Sequence, residues 1–235
     1  MKRSMLVLFV GGVVLFASGF FWGLVPIAAV LVLLTVGILR MESGILGPVR
    51  TKIDAGIALT YDDGPDPRST PALLDLLKQH GAKATFFVVG DRVRAHPEVV
   101  QRCHAEGHTI ANHSQRHGTL TNIHFGGWMK KELAACQSAV EEAIGIPPRH
   151  YRPPFGLMNP YVEPSARALG MDVVAWSIRS LDTVRDDAAQ RVVADLAPGA
   201  IVLLHDGGLD PERVVATTST ILEAAAARGL EPVAL

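Results

Sequence analysis

The apolar and polar positions divide the chain into two unequal parts. From Met5 to Leu39 there is no charged residue, and the run is bracketed by Lys2, Arg3 and Arg40. At ~1.5 Å per residue one continuous helix of that length would be roughly 50 Å long, well beyond a ~30 Å bilayer core. Gly23 and Pro26 lie near its middle, where the chain can turn. The run therefore reads as a helical hairpin over Met5–Trp22 and Leu24–Leu39, or as one transmembrane helix or signal segment with the remainder exported. The hairpin places Lys2, Arg3, Arg40, Arg50 and Lys52 together on the cytoplasmic face, as the positive-inside rule prefers. The run far exceeds the ~7–15 residues of a signal core, although Ala17-Ser18-Gly19 offers a small-residue cleavage site. A buried soluble helix is excluded, because a domain of this size could not cover such a segment. Residues 1–40 are accordingly expected in a membrane, of the bacterial inner or plasma type. The two readings put the rest of the chain on opposite sides of it.

Residues 41–53, with Gly44, Gly47 and Pro48, read as a linker, and 54–235 as one domain. There, short apolar runs alternate with amphipathic stretches. Strands are expected at 56–61, 84–89, 108–111, 149–152, 172–177, 200–205 and 231–235. Helices are expected at 70–80, 97–106, 127–144, 160–169, 187–196 and 211–228; the first carries Leu73, Leu74, Leu76 and Leu77. This is the pattern of βα units around a parallel sheet. Seven strands in under ~190 residues suit a small barrel and an open sheet alike.

Composition narrows the function only by exclusion. Lys and Arg number 22 against 23 Asp and Glu, so no strong field draws the chain to nucleic acid. Two cysteines, Cys103 and Cys136, are too few for a disulfide framework and read as reduced, partly buried thiols.

The reactive residues cluster by position. Asp62 and Asp63 follow the first expected strand, His113 the third, Arg152 the fourth, Trp176 the fifth and His205 the sixth. Parallel α/β folds build their sites at those carboxyl ends. Neighbouring side chains point apart at a strand end, so Asp62 and Asp63 can serve different roles. His113 and His117 are four apart, which on a helical turn puts both imidazoles on one face. With Asp63 they suit Zn²⁺ or a similar divalent ion and leave positions for water and substrate. Arg152, stiffened by Pro153 and Pro154, would hold Asp62 ionised as a base. His205 fits the acid that a departing amine needs, with Asp182 as the partner favouring its protonated form. Trp176 and Leu203 read equally as core or as walls of a small apolar slot for a methyl group. Asp206, adjacent to His205, is expected to point elsewhere. The other histidines are read as surface or partly buried, and Tyr61, Thr85, Phe86 and Phe87 as core.

In order, Thr60-Tyr61-Asp62-Asp63-Gly64-Pro65, His113-Ser114-x-x-His117, Arg152-Pro153-Pro154-Phe155-Gly156 and Leu203-Leu204-His205 resemble the motifs of the polysaccharide deacetylases, the NodB-homology domain of carbohydrate esterase family 4. Ala84-Thr85-Phe86-Phe87 and Gly107-His108-Thr109-Ile110-Ala111-Asn112 agree, and the resemblance runs from about Asp54 to the end. It implies a distorted (β/α)7-type barrel and a divalent metal, usually zinc, on Asp63, His113 and His117. It implies Asp62 as general base positioned by Arg152, and His205 as acid. The implied substrates are N-acetylglucosamine polymers, O-acetylated xylan or lipid-linked sugars. A backbone N–H near Phe155 would help hold the oxyanion. One departure stands out: many members have Trp after the aspartate of the fourth motif, whereas Leu181-Asp182 here precedes Thr183. The expected reaction is removal of an N-acetyl group from a sugar. An amidohydrolase acting on a non-sugar amide and an inactive glycan-binding protein are the alternatives.

Overall fold

A computed structural model describes residues 25–118 and 127–235. Seven parallel strands form one curled sheet in the order β5-β4-β3-β2-β1-β7-β6. The strands are β1 (Ile57–Gly64), β2 (Ala84–Val88), β3 (Thr109–Asn112), β4 (His150–Tyr151), β5 (Asp172–Val173), β6 (Ile178–Arg179) and β7 (Ala200–His205). The edge strands β5 and β6 do not pair with each other, so the sheet is a half-barrel. β1, β2 and β7 form its centre, and nearly every residue in them is buried, as the continuous apolar runs demand of strands covered on both faces.

The helices are α1 (25–39), α2 (Thr70–Gln79), α3 (Gly90–Ala95), α4 (Pro97–Ala105), α5 (Gly127–Ile144), α6 (Val162–Arg167), α7 (Ala188–Asp195) and α8 (Pro211–Ala227). α2 turns Leu73, Leu74, Leu76 and Leu77 onto the sheet. α8 starts sharply because Asp210 accepts hydrogen bonds from the backbone of Glu212 at 2.8 Å and Arg213 at 3.3 Å, with Pro211 in the first turn. Cys103 and Cys136 are both buried free thiols in the main core, as expected.

Two element expectations fail. Residues 231–235 make no strand; Pro232 contributes a single bridge to Ile57. The seventh strand is β6 instead, because the apolar stretch after Asp172 breaks at Val174–Ser177, where Val174 bridges to Arg50 and Ser177 bonds to Ile201. α3 was not expected, since Gly90 and three charged residues among six mask its apolar face.

The first arm of the expected hairpin, Met5–Trp22, lies outside the described residues, as does His124. The second arm is α1, and among the described residues no helix is long and apolar enough to cross a membrane. The segment that follows is packed against the domain. Met41 is buried beside Tyr151 and Met158, the Met158 N–H donates to the Ile38 carbonyl at 3.0 Å, and the Arg50 N–H donates to the Val173 carbonyl at 2.9 Å.

Candidate metal centre and catalytic pocket

β1 and β7 run in register so that Asp62 lies beside His205. The chain then leaves β1 with Asp63 at φ 69°, a left-handed conformation, which turns the second carboxylate away from the first. Asp62 accepts from Arg152 Nη1 at 2.7 Å, while Asp63 faces His113 and His117. Arg152 thus holds Asp62 and His117 lies against Asp63, while His113 Nε2 sits between the two carboxylates, 3.5 Å from Asp63 Oδ1 and 3.7 Å from Asp62 Oδ2.

His113 follows β3 and His117 lies four residues on, but no helical turn supports them. They sit in a loop in which Ser114 and His117 have positive φ, at 72° and 51°. Side chains shape that loop: the Asn112 carboxamide accepts from the Ser114 N–H at 2.8 Å, Ser114 Oγ accepts from the His117 N–H at 3.1 Å, and Glu132 accepts from the Arg116 N–H at 2.9 Å. The imidazoles still come together, with ring centres 4.9 Å apart.

The donor set fits a divalent cation. One ligand atom from each of Asp63, His113 and His117 lies within 4.8 Å of the others. His113 Nδ1 donates to the Arg152 carbonyl at 2.7 Å, and because a carbonyl can only accept, Nε2 is left with its lone pair toward Asp63. Asp63 Oδ1, 3.5 Å from His113 Nε2 and 3.1 Å from His117 Nε2, is buried with no well-aligned hydrogen bond. A buried carboxylate oxygen without a partner is costly, and a metal would satisfy it. Burial raises the Asp63 carboxyl, but the three surrounding imidazoles, His113 foremost, hold it well below the usual range. Burial and the His113 charge lower His117, which favours the neutral form a metal needs.

Arg152 is 0 % exposed, held inside the domain behind Asp62. Besides Asp62, its guanidinium donates to Thr60 Oγ1 at 2.9 Å and to the carbonyls of Val174 at 3.2 Å and Ala175 at 2.9 Å, and it stacks 4.0 Å over the Phe87 ring. Burial lowers its pKa and the Asp62 carboxylate opposes that. Asp182 holds His205 twice, through Nδ1 at 2.7 Å and through the backbone N–H at 2.8 Å. Burial alone would lower His205, but the Asp182 hydrogen bond and charge, with help from Asp62 and Asp63, push it up to about 9.

Asp62, Asp63, His113, His117 and His205 line a cavity of about 220 Å³ together with Phe155, Trp176, Leu203 and Thr183. Thr183, the position of the departure in the fourth motif, thus faces the pocket. The structure brings every expected site residue to this one place, Asp182 and Arg152 from behind. Of the five non-glycine residues with positive φ among the described residues, Asp63, His117, Phe155 and Leu181 line it, and the fifth, Ser114, follows the lining His113. Backbone strain collects there because the surrounding contacts over-determine it.

Sequence reasoning missed several supports. Arg92, on the unexpected helix α3, donates to the Asp63 carbonyl. Asp206 does point away from His205: it is 0 % exposed and accepts from Thr70 Oγ1 at 2.5 Å. Burial, opposed by that bond and reinforced by Asp63, pushes it up to about 7. A Cβ on Gly64 would lie 2.5 Å from Asp206 Oδ2, so only glycine lets the two strand ends meet. Asn112 was visible as a polar residue ending a strand; Arg92 and Thr70 had no local signal.

A curled parallel α/β sheet with a carboxylate pair, a histidine pair and a separate aspartate-held histidine at its carboxyl edge defines a class of hydrolase. Residues 50–174 match the polysaccharide deacetylase family model, and the chain belongs to that family, hydrolases of carbon–nitrogen bonds other than peptide bonds. It is 40 % identical over 154 residues to a chitooligosaccharide deacetylase of Bradyrhizobium sp., covering 64 % of this chain and 70 % of that protein. A peptidoglycan-N-acetylglucosamine deacetylase of Bacillus cereus is 37 % identical over 171 residues, 71 % of this chain and 79 % of that one. Among solved structures, a family 4 carbohydrate esterase from Streptomyces lividans in complex with acetate superposes with a TM-score of 0.69 at 31 % identity, covering 76 % of this chain and 91 % of that chain.

Proposed function

We propose that this chain is a metal-dependent sugar N-deacetylase, hydrolysing the acetamido group of an N-acetylhexosamine. The observation that carries the reading is the orphaned, buried Asp63 Oδ1 facing two imidazoles, with an Asp62 held by Arg152 and a His205 held by Asp182 on either side. When bound there, a divalent ion such as Zn²⁺ supplies an activated water and polarises the acetyl carbonyl. Asp62, held by Arg152, takes the proton from the attacking water. His205, held by Asp182, donates from Nε2 to the nitrogen as the carbon–nitrogen bond breaks. Trp176 and Leu203 enclose the methyl group, and a backbone N–H near Phe155 adds a donor for the oxyanion. The similarity to chitooligosaccharide and peptidoglycan N-acetylglucosamine deacetylases supports the sugar over a non-sugar amide. The filled acid, base and ligand positions weigh against an inactive glycan-binding protein.

The test is acetate release by the full chain in detergent, zinc-loaded or chelator-stripped, from chitin oligomers, peptidoglycan fragments and acetylated xylan. Release that needs the metal is expected; release undiminished by full metal removal would refute the metal role. Residues 1–40 are proposed to anchor the domain in a bacterial inner or plasma membrane, supported by the uncharged run and by the apolar exposed surface of α1. A C-terminal reporter active only in the cytoplasm is expected to light up if both arms cross as a hairpin. Activity of an export-dependent reporter instead would establish a single crossing.

A further inference from the structure

The seam of the half-barrel is not left open. Residues 174–177 leave β5 before β6 begins, and the stretch ahead of β1 fills the edge they expose. Arg50 forms a parallel bridge with Val174: its N–H donates to the Val173 carbonyl at 2.9 Å, and its carbonyl accepts from the Ala175 N–H at 2.8 Å. Three residues on, the Ile53 N–H donates to the Gly199 carbonyl at 3.0 Å, and Lys52 bridges Ala200 at the start of β7. Residues 41–53 are thus a strap that touches both sides of the seam. Packing fixes its course. Met41 is buried, Leu46 and Val49 lie on the same apolar cluster as Val173 and Ala175, and a Cβ on Gly47 would lie 2.8 Å from Glu163 Cβ.

We infer that Arg50 is a positioning residue for the general base, acting through Val174 and Ala175 on Arg152 and so on Asp62. This rests on the deacetylase reading above. The buried Arg152 guanidinium is a rigid, planar fork. It donates from Nε to the Val174 carbonyl at 3.2 Å and from Nη2 to the Ala175 carbonyl at 2.9 Å, while Nη1 lies 2.7 Å from Asp62 Oδ1. Where those two carbonyls lie therefore sets where the fork comes to rest, and Asp62 with it. On one edge the stretch is held by β4, whose Tyr151 carbonyl accepts from the Val174 N–H at 2.9 Å. On the other edge it is held by Arg50, through Val173 and Ala175. Trp176, which lines the catalytic pocket, is the next residue along. The Arg50 side chain is exposed and these bonds are made by its backbone, so no motif in the sequence marks the position.

The test pairs two proline variants of the full, zinc-loaded chain. Arg50→Pro deletes the N–H that bonds Val173 and sets a ring against that carbonyl. Ile53→Pro deletes the strap's bond to Gly199, on the side of the seam that does not hold Arg152. Both are expected to lower the urea midpoint. Arg50→Pro alone is expected to lower kcat for acetate release, by about tenfold or more with KM and bound zinc little changed, since a ~1 Å misplacement can cost about 10²-fold. In an Asp62→Asn background, where the base is already gone, Arg50→Pro is expected to lower kcat by less than about twofold more. A fall in kcat shared equally by Ile53→Pro would overturn the proposal. So would a fall that multiplies undiminished with Asp62→Asn, or a full kcat in folded Arg50→Pro. If Arg50→Pro does not fold, an ester in place of the Val49–Arg50 amide deletes the same N–H without a ring, and the same outcomes apply to it. If the wild type releases acetate from no substrate, the deacetylase reading fails, and hydrogen exchange at the Arg152 Nε–H, followed by NMR, decides this one separately. Protection lost in Arg50→Pro and kept in Ile53→Pro supports the link from strap to guanidinium; protection alike in the two variants overturns it.

Discussion

Replacing Asp182 with Asn removes one negative charge and leaves the shape of the site intact, so it isolates what that carboxylate does to His205. Asp182 is buried, and one oxygen takes the His205 Nδ1 proton at 2.7 Å while the other takes the backbone N–H at 2.8 Å. The interval from the ordinary 6.5 to about 9 corresponds to about 3 kcal/mol in favour of the imidazolium. Burial works against that charge, so without Asp182 the His205 pKa should fall to about 6.5 or lower. At pH 8 the protonated fraction then drops about thirtyfold, while at pH 5.5 it hardly changes. A metal on Asp63 cancels that residue's share in raising His205, placing the wild-type alkaline limb somewhat below 9, but leaves the larger Asp182 contribution. The assay is kcat/KM for acetate release across pH 5 to 10: the alkaline limb of Asp182→Asn is expected about two units below that of the wild type. Stability carries the same signature. A pKa raised by folding contributes stability that is fully present below about 6.5 and lost as pH rises through about 9. The stability gap between wild type and variant should therefore narrow over that window. An alkaline limb that stays in place in a folded, metal-replete variant would refute His205 as the acid tuned by Asp182.

Asp62→Asn should lower turnover by about 10²–10⁴ and keep its zinc, read by metal analysis of the purified protein; loss of the metal would sink the division of roles between the two aspartates. Arg152→Met leaves Asp62 buried without its partner and should cost about 3–5 kcal/mol in urea unfolding, and adding Asp62→Asn should recover much of that stability but no activity. Gly156→Ala puts a Cβ 2.4 Å from Trp176 Cη2 at a residue with φ +66°, so the indole must shift; kcat/KM should fall about tenfold or more with an unchanged far-UV spectrum, and unaltered kinetics would remove Trp176 from the pocket's working wall.

The candidate site was legible in the sequence because its residues sit in short motifs at strand ends. Asp62-Asp63 and His205 end long apolar runs, and a run of buried residues declares its strand whatever its partners are; His113 and Arg152 end shorter, mixed stretches. The uncharged stretch from Met5 to Leu39 was equally plain, being a property of composition. The arrangement of the sheet was not legible. A closed barrel and an open half-barrel bury the same runs, and whether β5 meets β6 depends on two-residue strands too short to leave a periodic signal. The histidine pair shows the same limit. A spacing of four suggested a helical turn, but Asn112, Ser114 and Glu132 offered the loop's N–H groups other acceptors, and the imidazoles meet without one. Arg50 closes the seam beside Val174, a residue more than half the chain away. Local pattern records which side chains a segment must bury; which distant segments then face each other is decided only when the whole sheet curls and packs.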